Sequence, residues 1–224
     1  MFSKKIIFSC TALIIIQINA ITVISLGQAC TVAGAMREYG IRITAYPFDW
    51  IVSPFQGLYQ ALSDNFEHFL QEDSLTIRSY DRYGVVDYCG FEFVHDFPVM
   101  QPNDEFAELI GEGHVTGGVL RDDWRSFLPQ VKTKYKRRID RLHDTFSTAQ
   151  EKIYLIRYGG ISREQAIQLR DLLYKRYPQL DFELIVLAHS SDMKNKWDLK
   201  NIQNFYLDEK EPQQWKELFT SLGF

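Results

Sequence analysis

Apolar positions follow two rhythms along this chain, one of period two and one near 3.6, and the switches between them mark its elements. Ile21-Thr-Val-Ile-Ser-Leu26 is a short apolar, β-branched run that suits a buried strand. Gly27 breaks it, and small residues and good helix formers follow as far as Gly40. The pattern predicts a strand, a tight turn and a helix closed by Gly40, with Cys30 in the first helical turn. Tyr46-Pro-Phe-Asp-Trp50 is an aromatic, turn-like block. Pro54 then opens a predicted helix from Phe55 to Leu70, with Leu58, Leu62, Phe66, Phe69 and Leu70 along one stripe. Residues 75–97 alternate around Gly84 and Gly90 and read as one or two hairpins.

Residues 98–118 carry Pro98, Pro102, Gly111, Gly113, Gly117 and Gly118, so they read as loop with a short helix from Asp104 to Ile110 capped by Asn103. A long helix is expected over about Asp122 to Ser147, bent at Pro129, with Tyr135, Ile139, Leu142 and Phe146 on its apolar side. The last third alternates cleanly. Strands are predicted at 152–158, 182–189 and 202–207, and helices from the capping box Ser162-Arg-Glu-Gln165 to Tyr177 and from Gln213 to Leu222. Strand–helix–strand spacing of this kind implies a right-handed parallel crossover. The predicted fold class is α/β: a mainly parallel central sheet flanked by helices, with a β-hairpin insertion near residues 75–97.

The first twenty residues stand apart. Lys4 and Lys5 precede an apolar stretch from Ile6 to Ile16, and the segment ends at Ala20, the layout of a signal peptide. We therefore expect residues 1–20 to be removed, leaving one α/β domain over 21–224 in a secreted or periplasmic protein without stable membrane association. An N-terminal signal anchor is the alternative. Cleavage would move the formal net charge from −4 to −6 by taking away Lys4 and Lys5, which argues against nucleic acid as a partner. Cys30 and Cys89 would remain; they could pair with each other in an oxidising compartment, and no spacing suggests zinc or any other cofactor.

Ligands of open α/β sheets gather at the carboxyl ends of the strands. Four predicted strand ends carry reactive or charged residues: Cys30, His95-Asp96, Arg157 and His189. A helix start favours anions, a thiolate or a phosphate among them, whereas a lone cysteine also serves as a small packing residue. A nucleophilic cysteine needs a base and a group that orients the base. His95 and His189 are the candidate bases, and Asp49, Asp87 and Asp96 the candidate orienting groups. Asp49 could instead bond backbone amides within its own turn. Lys134, Arg138 and Arg141 share one helix face, which reads as a solvated basic face or as an anion site.

Ser25-Leu-Gly-Gln-Ala-Cys30, Tyr46-Pro-Phe-Asp-Trp50, His95-Asp-Phe97, Lys134-Tyr-Lys-Arg-Arg-Ile-Asp-Arg141 and Ile156-Arg157 occur in that order. In these blocks the chain resembles a mostly bacterial family labelled putative papain-like cysteine peptidase (DUF1796), over roughly residues 21–190. The resemblance implies Cys30 as nucleophile, His95 as base and Asp49 or Asp96 as third member. Gln28, Trp50, Arg138 and Arg157 are the expected substrate contacts, with Gln28 or the backbone amides of Cys30 and Thr31 serving a developing oxyanion. The reading is a cysteine peptidase or related hydrolase or acyltransferase acting on a peptide or small molecule. Two alternatives stand beside it. One is an α/β protein that binds or transfers a phosphorylated or sugar ligand through the Leu26-Gly27 turn, Arg138 or Arg141, and Arg157. The other is a non-catalytic secreted interaction domain.

Overall fold

The computed structural model describes residues 21–79, 82–100, 118–159 and 161–224. The predicted signal segment 1–20 and the predicted short helix at 104–110 lie outside the described residues.

Four parallel strands form the central sheet in the order β1-β7-β8-β9: β1 (Thr22–Ser25), β7 (Ile153–Tyr158), β8 (Phe182–Ala188) and β9 (Ile202–Tyr206). Thr22 pairs with Ile153, Ile153 with Phe182, and Leu184 with Ile202. Side chains alternate between two apolar layers, as a sheet covered on both faces requires. Val23, Ile156, Ile185 and Leu187 pack with α1 (Thr31–Glu38) and α5 (Pro212–Ser221), through Val32, Met36, Trp215 and Phe219. Ile24, Leu26, Leu155, Leu184 and Val186 face the larger layer, which contains α2 (Phe55–Ser63), α3 (Leu128–Thr148) and α4 (Arg163–Arg176).

The insertion is a three-stranded antiparallel sheet of β2 (Thr76–Ile77), β3 (Val85–Val86) and β4 (Glu92–Phe93). A further antiparallel pair joins β5 (Val99–Met100) to β6 (Val119–Leu120). The turn between β3 and β4 is built on Asp87, whose Oδ1 accepts from the amides of Cys89 and Phe91, each at 3.0 Å, while its Oδ2 accepts from Leu70 at 3.2 Å. Among the described residues no helix is long and apolar enough to cross a membrane.

Three boundaries differ from the sequence expectation. The helix opened by Pro54 stops at Ser63, because Asn65 and Phe66 adopt positive φ values of 61° and 62° and turn the chain. Pro129 does not bend α3. A 3-10 turn at Trp124–Phe127 comes first, and the proline sits in the first turn of α3, where its missing N–H has no helical partner to lose. The strand expected to end at His95 ends at Phe93 and belongs to the insertion, so His95 is not at a strand end of the central sheet. The chain leaves the strand where Asp96 is drawn to α3, accepting from the Tyr135 hydroxyl at 2.7 Å and pairing with Lys134.

Candidate active site

The segment between β1 and α1 is held from below. Leu26 continues the ladder, its amide donating to Ile156 at 2.8 Å. Gly27 has φ +78° and lies so close to Ser53 that a Cβ there would overlap the Ser53 Oγ. Gln28 is also left-handed, at φ 69°. Its amide donates to Ser53 Oγ at 3.0 Å, and its carbonyl accepts from the Ser53 amide at 3.0 Å.

Beneath this turn Arg157 is fully buried. Its Nη1 donates to the Leu26 carbonyl and to Ser53 Oγ, each at 2.9 Å; its Nη2 donates to the Ser53 carbonyl at 2.7 Å and to Gln28 Oε1 at 3.2 Å. Burial pulls the guanidinium down to about 10, which still leaves it charged at neutral pH. All of the acceptors it meets are neutral. Arg157, expected as a substrate contact, is therefore the internal clamp of the turn and has no surface to offer a ligand.

The clamp delivers Cys30 to the surface. Cys30 caps α1 at φ −70°, ψ −6°, and its carbonyl accepts the Gly34 amide at 2.7 Å. Its side chain is exposed and its thiol is free. At its far end α1 closes as predicted. Gly40 has φ +70°, its amide donates to Arg37 at 3.2 Å and that of Ile41 to Met36 at 2.9 Å, the Schellman pattern. Cys89 is likewise free and half-buried, and burial together with the Asp87 carboxylate pushes its thiol up to about 11. The two cysteines are not bonded to each other here.

Both neighbours of this turn carry an exposed histidine. The segment bonded to Gln28, residues 49–53, places Trp50 edge-on to His95 with ring centroids 6.5 Å apart. The segment bonded to α1 follows β9: Thr31 Oγ1 donates to Glu209 Oε2 at 3.1 Å, and Asp208 Oδ2 lies 3.8 Å from His189 Nε2. Among the described residues no hydrogen bond joins Cys30 to either histidine.

Neither carboxylate expected beside His95 is bonded to it. Asp49 is buried and accepts from the Tyr46 amide at 3.1 Å and from Arg42 Nε at 3.0 Å; burial raises its carboxyl despite Arg42. Arg42 in turn stands over Trp50, 5.3 Å from the ring centre. Asp96 is committed to Tyr135 and Lys134, whose ammonium burial and neighbouring Arg138 lower to about 8. The basic stripe of α3 is thus not simply a solvated face, although Arg138 Nη1 is buried with no hydrogen-bond partner among the described residues. Lys134 holds Asp96, Arg138 lies over the Tyr135 ring at 5.2 Å, and Arg141 donates to the Ala45 carbonyl. Among the described residues no cluster of His, Cys, Asp and Glu is suited to a metal ion.

Sequence reasoning missed Ser53, which meets both Gln28 and Arg157, and the pair Asp208 and Glu209. Ser53 had no local signal beyond its place before Pro54. Asp208 could have been found as the first acidic residue after a predicted parallel strand.

Residues 21–192 match the family model described as "Putative papain-like cysteine peptidase (DUF1796)". Uncharacterized protein R408 of Acanthamoeba polyphaga mimivirus is 25% identical over 172 residues, covering 67% of this chain and 69% of that protein. No solved structure matches. The matched span is most of the chain, so the chain belongs to the family described as putative papain-like cysteine peptidases.

Proposed function

We infer that the protein is a cysteine hydrolase or acyltransferase of the peptidase type, with Cys30 as its nucleophile. The observation that carries this reading is the exposed, unpaired thiol at the start of α1, on a turn clamped by a buried arginine at the carboxyl edge of a parallel sheet. Such a position combines access with a fixed direction, which a packing cysteine does not need.

In the reaction the Cys30 thiol gives its proton to a histidine, and Sγ attacks a substrate carbonyl carbon, forming the C–S bond while the carbonyl π pair moves to oxygen. The backbone amides of Cys30 and Thr31 stand at the helix start to receive that oxyanion. Collapse expels the amine, which takes the proton back from the histidine, and water or another acceptor then releases the acyl group from sulfur. Trp50 and His95 form the substrate-facing wall on one side of the turn, and Gln28 sets its base. His95 is the base implied by family resemblance, and His189 is the other exposed imidazole of the site. A phosphate-binding reading would rest on Arg138, whose Nη1 has no hydrogen-bond partner among the described residues, because Arg157, Arg141 and Lys134 are bonded to groups of the protein itself.

Incubation with a small peptide thioester tests the reading. Wild type should acquire one acyl group, located on Cys30 by peptide mass mapping, and Cys30→Ala should not. Failure of the wild-type protein to be acylated, or equal turnover by Cys30→Ala, overturns it.

A further inference from the structure

The carboxyl edge of the sheet holds a second arrangement that the family resemblance did not point to. Along β8, Ile185 and Leu187 face the layer of α1 and α5, and the strand ends at Ala188. His189 follows it, exposed, with its ring edge-on to Tyr206 at 5.1 Å between centroids. The chain after β9 returns across this edge. The Leu207 amide donates to the Ala188 carbonyl at 3.1 Å, and the Leu207 side chain is buried in the same layer as Val32 and Met36.

Asp208 is held in place twice. Its amide donates to Gln214 Oε1 at 2.9 Å, and its Oδ1 accepts from the Lys210 amide at 3.0 Å. Oδ2 is left facing His189 Nε2 at 3.8 Å. The next residue, Glu209, reaches Thr31, the neighbour of Cys30. A single short loop thus connects an oriented imidazole to the first turn of the nucleophile's helix. His189, like His95, has an aromatic neighbour, but among the described residues no carboxylate is paired with His95, Asp49 and Asp96 being engaged elsewhere.

We propose that His189 is the general base and acid for Cys30 and that Asp208 is its positioning residue. The proposal rests on the reading of Cys30 as nucleophile. Asp208 accepts the Nε2 hydrogen and leaves Nδ1 as the lone-pair nitrogen. Nδ1 takes the thiol proton as Sγ attacks, Asp208 stabilises the imidazolium, and the same proton passes to the leaving amine. The separation of 3.8 Å is an ion-pair distance, and apo sites of this kind tighten on substrate. The chain order becomes Cys30, His189, Asp208, with the third member beyond the residues matched by the family model.

The test uses the full chain and the rate of Cys30 acylation by a peptide thioester. His189→Ala should slow it by about 10²–10⁴-fold, the range for loss of a general base, and added imidazole should restore part of the rate to His189→Gly. Asp208→Ala should cost less, with Asp208→Asn between it and wild type. The ¹⁵N signature of the Nε2–H tautomer of His189 should be present in wild type and lost in Asp208→Ala, which a purely structural role would not produce. His189 and Asp208 are not buried, so thermal unfolding of the variants should match wild type. A wild-type protein that acylates at Cys30 while His189→Ala acylates equally fast overturns the dyad alone, as does a loss confined to His95→Ala. A wild-type protein that never acylates overturns the nucleophile reading and the dyad with it.

Discussion

Arg157 is the residue on which the geometry of Cys30 depends, and its environment is unusual for a buried cation. It meets two carbonyls, a hydroxyl and a side-chain amide, with no carboxylate among them. Buried charges are normally paired. Here carbonyl dipoles take that role, so removal strands several acceptors at once. Arg157→Ala should destabilise the fold by more than about 2 kcal/mol, measured by urea unfolding, because each unsatisfied buried group costs on the order of 1–3 kcal/mol. Arg157→Lys should recover only part of this, since an ammonium cannot reproduce the planar fork. Asp87 makes a second prediction at this scale. Burial raises its carboxyl to about 6, above the ordinary value near ~3.9. The native state therefore binds this proton more tightly than the unfolded chain. The contribution to stability is fully present below about pH 4 and is lost as pH rises through about 6. Asp87→Asn should flatten that part of the stability–pH curve relative to wild type, and parallel curves would count against it.

At the scale of elements, legibility followed how local the cause was. β7 and β8 are mostly apolar runs, interrupted by Arg157 and Glu183, and both lie within a residue of the predicted spans. The start of α4 was readable because Ser162 and Gln165 satisfy each other's amides, at 3.2 and 2.9 Å. Gly40 was readable because a left-handed helix terminus selects glycine. The misreadings have non-local causes. Phe66 sits in an apolar helical stripe, yet it turns left-handed into an aromatic cluster with Phe48 and Phe69. The path of residues 94–97 is set by Asp96 reaching α3, some forty positions away in sequence, as the bond to Tyr135 spans 39 residues. The site divides the same way. Cys30 at a strand–turn–helix junction was legible from its flanks. Ser53 was not, since it matters only through what the fold brings opposite it, and Asp208 had only its place after a predicted parallel strand to mark it.

The central sheet carries an apolar layer on each face, and the family match ends before the chain completes one of them. It stops at residue 192, before β9 and α5. Those elements complete one apolar layer, in which Leu207, Trp215, Leu218 and Phe219 cover Val23, Val32, Met36 and Ile185. A chain cut after residue 192 would leave that face open, a patch of the kind that drives aggregation. Such a fragment should lose cooperative unfolding and self-associate, read by calorimetry and by size-exclusion chromatography. A monomeric, cooperatively folding 21–192 fragment would show that the second layer is dispensable.

The clamp at Arg157 also sets how the site can deform. On the side of Trp50, the nucleophile's turn and residues 51–54 are joined through buried hydrogen bonds and cannot separate without breaking several of them. On the side of His189, the hydrogen bonds to α1 and its C-cap among the described residues are two exposed ones, Thr31 to Glu209 and Tyr39 to Pro212. The cleft is stiff along one wall and compliant along the other. Native-state hydrogen exchange should report this asymmetry directly, with the amides of Gln28 and Ser53 among the slowest outside the sheet and those of Asp208 and Lys210 far faster. Substrates of different bulk would then be accommodated by movement of the 207–210 loop, while the position of the sulfur stays constant.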